Sequence, residues 1–123
     1  MRSEKETVGM TEKEIQNAIL RTFGTLPHLR LWRANVGVAR IGPRVVRFGI
    51  PGQADLTGIL PDGRRLEIEV KSPTGRQSPD QQAFQRIIER FNGLYILARS
   101  VEDVHRQLTA AGVHGDTLPG GTN

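Results

Sequence analysis

The sequence predicts an α/β domain in which helices flank a mixed β-sheet, with the element order α-β-β-β-β-α-β-α. Apolar residues recur at helical spacing in three segments, and two of these segments open with a capping-box pattern. Shorter runs between them alternate apolar and polar residues, as half-buried strands do. Strand, helix and strand across residues 64–98 predict a right-handed parallel crossover, which makes the sheet mixed.

The first element is an amphipathic helix over residues 11–24. Thr11 and Glu14 fit the N-cap and N3 positions of a capping box, in which each side chain bonds the backbone amide of the other residue. Apolar residues follow at helical spacing, and a glycine is a natural stop at the end. Residues 29–36 alternate enough to be a strand, in which we expect Trp32 to belong to the core.

Residues 37–49 are the most ambiguous stretch, because glycine, proline and arginine recur through it. Val45, Val46 and Phe48 fit a short second arm of a hairpin. The isoleucine, proline and glycine that follow are read as a turn before the next strand.

Two strands come next, over residues 54–60 and 64–71, and a Pro-Asp-Gly turn joins them into a hairpin. Every other residue of the second strand is apolar, which predicts one buried face. The opposite face carries Glu67, Glu69 and Lys71. For Glu67 we expect contact with solvent or with a nucleic acid.

The second half of the chain alternates helix and strand. Ser78 and Pro79 fit the N-cap and first positions of a helix that closes near residues 92–93. Residues 94–98 fit a short buried strand, and a last helix begins at Ser100. We expect residues 1–10 to be a flexible segment, 11–112 the folded domain, and 113–123 a disordered tail.

The composition limits the possible functions. With 123 residues the chain is expected to form one domain, and with no cysteine it has no disulfide, zinc-thiolate site or thiol nucleophile. No apolar run approaches the roughly 20 residues that span a bilayer, so we expect no membrane contact. The net charge of +4 favours an anionic partner, with nucleic acid the leading candidate, although many basic proteins bind none.

Glu69 and Lys71 place a carboxylate and an ammonium side by side on one strand, and Asp55 lies on its neighbour. Two converging carboxylates favour a shared hard cation such as Mg2+ or Mn2+. Such an ion polarises a phosphate and acidifies a water molecule. The pattern indicates a metal-dependent phosphodiester hydrolase, although Glu-x-Lys alone is more often a solvated ion pair.

The register of the hairpin decides whether these carboxylates meet. If Leu60 lay opposite Arg65, Asp55 would face Val70 and its side chain would point away from Glu69, because a one-residue slip exchanges the faces. The site needs Asp55 opposite Glu69 or Lys71. We therefore predict an odd-length loop or a bulge in the turn.

Four short motifs together resemble the VRR-NUC domains of the PD-(D/E)XK nuclease superfamily, over roughly residues 11–110. They are Gly52-Gln53-Ala54-Asp55, Glu69-Val70-Lys71, Gly75-Arg76-Gln77 and Ser78-Pro79-Asp80-Gln81. The junction that starts at Arg99 is also similar to that family. Ala54 stands where the superfamily has proline, and Asp80 where the family has glutamate, and neither change touches a ligand.

The resemblance implies a role for each residue of the site. Asp55 and Glu69 would ligate the metal with help from the Val70 carbonyl, and Lys71 would position or activate the water. Glu14 would be the first-helix acid that reaches the site, and Gln81 would orient Lys71 or the water. For both Glu14 and Gln81 the alternative is that each serves only its own capping box, although a longer motif supports the site role of Gln81.

Four arginines suit phosphate contacts along a duplex without reading bases, with scattered solvated charge as the alternative. They are Arg40, Arg44, Arg47 and Arg76.

The resemblance also implies a restriction-endonuclease-like fold and a Mg2+-dependent endonuclease, specific for branched or junction DNA and acting as a homodimer. Proteins of this kind often come from phages or prophages, so the expected location is the cytoplasm of a bacterial or phage-infected cell. Two alternatives stay open: a DNA-binding module that no longer cuts, and a restriction-type or RNA-directed nuclease with the same core.

Overall fold

The structure, a computed structural model, describes residues 9–35 and 37–113, which form three helices and six strands. The helices are α1 (Glu12–Phe23), α2 (Pro79–Arg90) and α3 (Val101–Ala110). The strands are β1 (Arg30–Arg33), β2 (Gly37–Ile41), β3 (Arg44–Phe48), β4 (Leu56–Ile59), β5 (Arg65–Val70) and β6 (Leu94–Ala98). The predicted mixed α/β class is confirmed, with one strand more than predicted before α2.

Four strands form the main sheet in the order β1-β4-β5-β6. β1 with β4 and β4 with β5 are antiparallel, whereas β5 and β6 are parallel and joined through α2. The sheet is therefore mixed, as a strand, helix and strand crossover requires.

The additional strand belongs to a separate two-stranded ribbon of β2 and β3. The predicted second arm of a hairpin lies in β3, and its first arm is β2, which was not predicted as a strand. β1 ends at Arg33 and pairs with β4. Gly42, at the first position of the two-residue turn, has φ +60°, which suits the type II′ turns that join such ribbons. Gly42 and Pro43 therefore form the turn of the ribbon.

One face of the main sheet forms the larger core with α1 and α3. Leu66, Ile68 and Val70 of β5 are fully buried there, packed with side chains such as Ile19 of α1 and Val104 of α3. The core also takes in Met10 and Val113, one residue beyond each predicted domain bound. The rest of the predicted flexible segment and tail, residues 1–8 and 114–123, lies outside the described residues.

The opposite face of the sheet is covered by α2. Phe84 and Ile88 of this helix pack with Ala54 and Tyr95 in a second cluster. The expectation of a solvated charged face on β5 is therefore wrong. Alternation along a strand separates its two faces, but it does not show whether a second layer of structure covers the charged one.

The helix ends agree with the sequence. Both predicted capping boxes are present, with Thr11 and Ser78 as N-caps, and Ser100 caps α3. The apolar stripe predicted for α2 is only partly buried, since Phe91 at its C-cap is 79% exposed. Among the helices described, none is long and apolar enough to cross a membrane.

Gly58 lies tightly against the backbone of β1, because a Cβ atom at this position would overlap the carbonyl oxygen of Arg30. We expect Gly58→Ala to lower the free energy of unfolding by about 1–3 kcal/mol, since the two backbones must separate. Urea denaturation measures the change. Ile59→Ala, at the exposed next position of β4, is the control and should cost about 1 kcal/mol or less. Equal midpoints for the two variants would contradict the close approach.

Candidate functional site

The hairpin of β4 and β5 has the register that a site between Asp55 and Glu69 requires. Leu56 pairs with Ile68, and the amide of Leu60 donates to the carbonyl of Arg64 at 2.9 Å across a three-residue turn. Continued by one residue, this register sets Asp55 opposite Glu69, with both side chains on the α2 face. The predicted odd-length loop is confirmed.

The Asp55 and Glu69 carboxylates are held at the end of the sheet by different groups. Asp55 Oδ2 accepts a hydrogen bond from the amide of Val70 at 2.8 Å. Glu69 is only 3% exposed, and its Oε2 accepts from Gln81 Nε2 at 2.9 Å and lies 3.6 Å from Lys71 Nζ. Its Oε1 is buried and has no hydrogen-bond partner.

Burial and mutual repulsion make both carboxylates reluctant to ionise. Burial, and then the charge of Asp55, raise the pKa of Glu69 to about 8, against the opposing effect of Lys71. Burial also raises the pKa of Asp55, although the Val70 amide acts in the opposite direction. Two such acids at one point favour a cation between them, because its positive charge offsets both the cost of burial and the mutual repulsion.

Lys71 lies at the end of β5 with its side chain 14% exposed, and its amide donates to the carbonyl of Ala98 at 3.0 Å. Its ammonium is the basic group paired with Glu69. Because the side chain is largely withdrawn from water, its charge acts on its neighbours with little screening.

Gln81 closes its capping box, and it also contacts the site through Glu69 rather than through the Lys71 that it was expected to orient. Its Oε1 accepts from the amide of Ser78 at 2.8 Å and closes the capping box, while its Nε2 donates to Glu69. The start of α2 therefore fixes the orientation of the Glu69 carboxylate.

Glu12 and Glu14, the two acids in the first turn of α1, make different contacts. Glu14 Oε1 accepts from the amide of Thr11 at 2.9 Å and completes the capping box of α1. Glu12 Oε2 accepts from the amide of Ser72 at 3.1 Å, just beyond β5, and its charge contributes to raising the pKa of Asp55. Glu12 thus contacts the site loop, although no motif pointed to it.

Arg99 holds the loop after β5 from the other side. Its Nη1 donates to the carbonyls of Ser72 at 2.6 Å and Gly75 at 2.7 Å. Sequence reasoning gave Arg99 no role, since a lone arginine between a strand and a helix carries no local signal. Arg76 follows this loop directly and is exposed.

Glu67 is fully buried, so the expectation that it meets solvent or a nucleic acid is wrong. Its Oε2 accepts from Thr57 Oγ1 at 2.5 Å and from Arg65 Nε at 2.6 Å. Thr57 is its cross-strand partner, so the bond depends on the same register that joins Asp55 and Glu69. Glu67 ties together β4 and β5 under α2.

A cleft of about 410 Å³ opens beside Asp55. Its walls come from the β2–β3 ribbon, from the turn before Asp55, and from the start of α2, and they include Val38, Arg47, Phe48, Asp80 and Gln81. Gly52 in that turn has φ +79°, and a Cβ atom there would overlap the carbonyl of Asp80. The turn therefore packs tightly on the start of α2, which brings Gln81 to the carboxylates.

The ribbon carries three of the four arginines predicted to contact DNA. Arg40, Arg44 and Arg47 are exposed, and of these Arg47 lines the cleft. None of the ion pairs among the described residues involves them. Residues 15–54, which include the ribbon, contain six arginines and no aspartate or glutamate, so they carry more than the whole net charge of +4.

The donor set of the site fits a hard divalent cation. Glu69 Oε1 is a buried oxygen without a partner, and Asp55 offers a second carboxylate beside it. Across residues 9–35 and 37–113 no group of three or more His, Cys, Asp or Glu side chains is arranged to hold a metal. Two carboxylates suit Mg2+, which keeps several of its waters.

Comparison of the chain with protein-family models finds no match, and comparison with curated proteins finds none either.

Proposed function

We propose that the protein is a metal-dependent DNA endonuclease that hydrolyses phosphodiester bonds. The observation that supports this most is the unpartnered, buried Glu69 Oε1 beside Asp55, with Lys71 Nζ 3.6 Å from the other oxygen of Glu69. Two carboxylates and a lysine beside a cleft that Asp55 lines are suited to metal-assisted hydrolysis. The resemblance to VRR-NUC domains points to the same chemistry.

Asp55 and Glu69 would hold the cation, Mg2+ or Mn2+, and the resemblance adds the carbonyl of Val70. When bound, such an ion supplies Lewis-acid polarisation of a phosphate oxygen and lowers the pKa of a water molecule. The Val70 amide fixes the Asp55 carboxylate, while Gln81 and Lys71 engage Oε2 of Glu69. These contacts fix the orientation of the Glu69 carboxylate and leave its Oε1 without a hydrogen bond.

Lys71 would act on the reacting groups themselves. Its ammonium is held beside Glu69 and largely withdrawn from solvent, so it can orient an attacking water and stabilise negative charge that develops on the phosphate. Because the amine is already paired with a carboxylate, it is positioned before the substrate arrives, and little reorganisation is needed during the reaction.

The surroundings of the cleft favour a nucleic acid as the substrate. Arg47 on the wall of the cleft, and Arg40 and Arg44 further along the ribbon, are available for phosphate contacts that position a duplex. A preference for branched or junction DNA, and a homodimer with two sites that could cut both strands, follow from the resemblance and are part of the proposal.

A cleavage panel tests this function. Linear duplex, junction, single-stranded DNA and RNA substrates are incubated with Mg2+, Mn2+ or EDTA, and binding is measured in parallel. We expect cleavage of branched DNA that requires Mg2+ or Mn2+. Binding with no cleavage in any condition would favour a DNA-binding module, and preferential cutting of RNA or of linear duplex would favour the other nuclease classes.

A further inference from the structure

Trp32 is the one tryptophan of the chain. The prediction that it belongs to the core is wrong, since it is 48% exposed. It lies on β1, the edge strand of the main sheet, and pairs with Thr57. Because paired residues share a face, its indole is on the α2 side of the sheet. However, α2 packs against β6 at the other edge, and the face at β1 is left open.

The register places this indole beside the proposed metal site. The amide of Ala34 donates to the carbonyl of Asp55 at 2.9 Å, so these two residues are opposite each other where β1 and β4 begin to diverge. Trp32, two residues earlier, is the diagonal neighbour of Asp55 on the same face. Diagonal neighbours are separated by about 7–8 Å, which is about the distance between successive nucleotides of an extended strand.

The charge near Trp32 favours an anionic ligand such as a nucleic acid over a purely apolar partner. Arg30 shares its strand and its face and is exposed. The whole stretch from residue 15 to 54 contains no carboxylate. An exposed indole beside a cation, and next to carboxylates that would face the scissile phosphate, is suited to holding a base.

We infer that Trp32 is a stacking platform for an unpaired base adjacent to the bond that is cut. This inference rests on the proposed function and narrows its substrate class. In a continuous duplex the faces of each base are covered by its neighbours, so an indole can receive only a base that is single-stranded, unpaired or extruded. The protein is thus expected to select DNA that offers such a base beside the scissile phosphate.

The intrinsic fluorescence of wild-type protein reports on this contact directly, because Trp32 is the single source of indole emission. The protein is titrated with single-stranded DNA, with a duplex carrying a short unpaired flap, and with a fully paired duplex, first in EDTA and again in Ca2+. We expect single-stranded DNA and the flap duplex to quench the emission, and the fully paired duplex to leave it nearly unchanged.

Variants give the second readout, the affinity for fluorescently labelled DNA. Trp32→Ala should weaken binding of the flap substrate about 5- to 150-fold and leave paired-duplex binding nearly unchanged, whereas Trp32→Phe should keep most of the affinity. Phe91→Ala removes another exposed aromatic side chain and is the matched control, which should bind like wild type. Circular dichroism confirms that each variant is folded.

The outcomes separate this inference from the nuclease proposal. Quenching by unpaired bases without cleavage in any metal would support the platform and overturn the nuclease. Metal-dependent cleavage with unchanged emission and wild-type affinity in Trp32→Ala would overturn the platform alone. If the emission shifts on dilution of the free protein and does not change when DNA is added, Trp32 lies between two copies of the chain. That result would also overturn the stacking platform.

Discussion

Lys71→Ala is expected to reduce the rate of metal-dependent DNA cleavage by about 10²–10⁴-fold while the protein stays folded and still binds DNA. Two effects add in the same direction. The substitution removes the ammonium held 3.6 Å from Glu69 Oε2, which would stabilise charge on the phosphate. It also removes the positive charge that lowers the pKa values of Asp55 and Glu69, so both carboxylates bind protons more readily in competition with a cation.

Initial cleavage rates at saturating metal and DNA separate the first effect from the second, since excess metal compensates for weaker affinity but not for a missing ammonium. Lys13→Ala is the matched control, because Lys13 is an exposed lysine on α1. It should cut like wild type. A Lys71→Ala protein that cleaves as fast as its parent would show that the proposed mechanism is wrong.

Glu69→Gln is expected to make metal-free protein more stable relative to wild type as the pH rises. The pKa of Glu69 is about 8 in the folded protein and 4.5 in its ordinary environment, so the native state binds its proton more tightly than the unfolded state. The associated stability is complete below about pH 4.5, and it is lost as the pH rises through 8. Between pH 5 and pH 9 the loss is about 4 kcal/mol. Glutamine does not titrate, so the variant does not share this loss.

Urea denaturation in EDTA, near pH 5 and near pH 9, measures the difference between variant and wild type. We expect the variant to gain about 4 kcal/mol relative to wild type from the lower to the higher pH. Glu89→Gln, at an exposed position of α2, is the control and should leave the pH profile unchanged. Parallel profiles for wild type and Glu69→Gln would contradict the raised pKa of Glu69.

Adding Mg2+ at the higher pH extends this test to the metal itself. A cation that binds only the native site raises stability by about 2.7 kcal/mol at 100 times its dissociation constant. Wild type should be stabilised and Glu69→Gln much less, because one of the two ligands has lost its charge. The readout is stability, so it is independent of whether any DNA substrate is cut.

The helices could be predicted because the signals that start them are local. Thr11 with Glu14, and Ser78 with Gln81, are three residues apart, and each pair forms its bonds within one turn of helix. The first arm of the β2–β3 ribbon was not predicted, for the converse reason. A Gly-Pro pair is compatible with an open loop or with a tight turn, and only the pairing of Gly37–Ile41 with Arg44–Phe48 decides between them.

In the candidate site, too, local features could be predicted and contacts between distant residues could not. The sequence put Glu69 and Lys71 on one face of a strand, and the need for Asp55 to join them predicted the odd-length turn that is observed. The roles of Glu12 and Arg99 could not be predicted, since their partners at residues 72–75 are distant in the chain.

The sequence by itself therefore determined the helix starts, the alternation of β5 and the residue types that could hold a cation, because each of these is fixed within a few residues. Only the tertiary structure decided which faces are covered. The placement of α2 over β5 and β6 buries Glu67 and Glu69 and raises the pKa of Glu69, while the same placement leaves Trp32 open at the β1 edge. Burial depends on the layers packed around a strand, and these come from parts of the chain that local patterns do not connect.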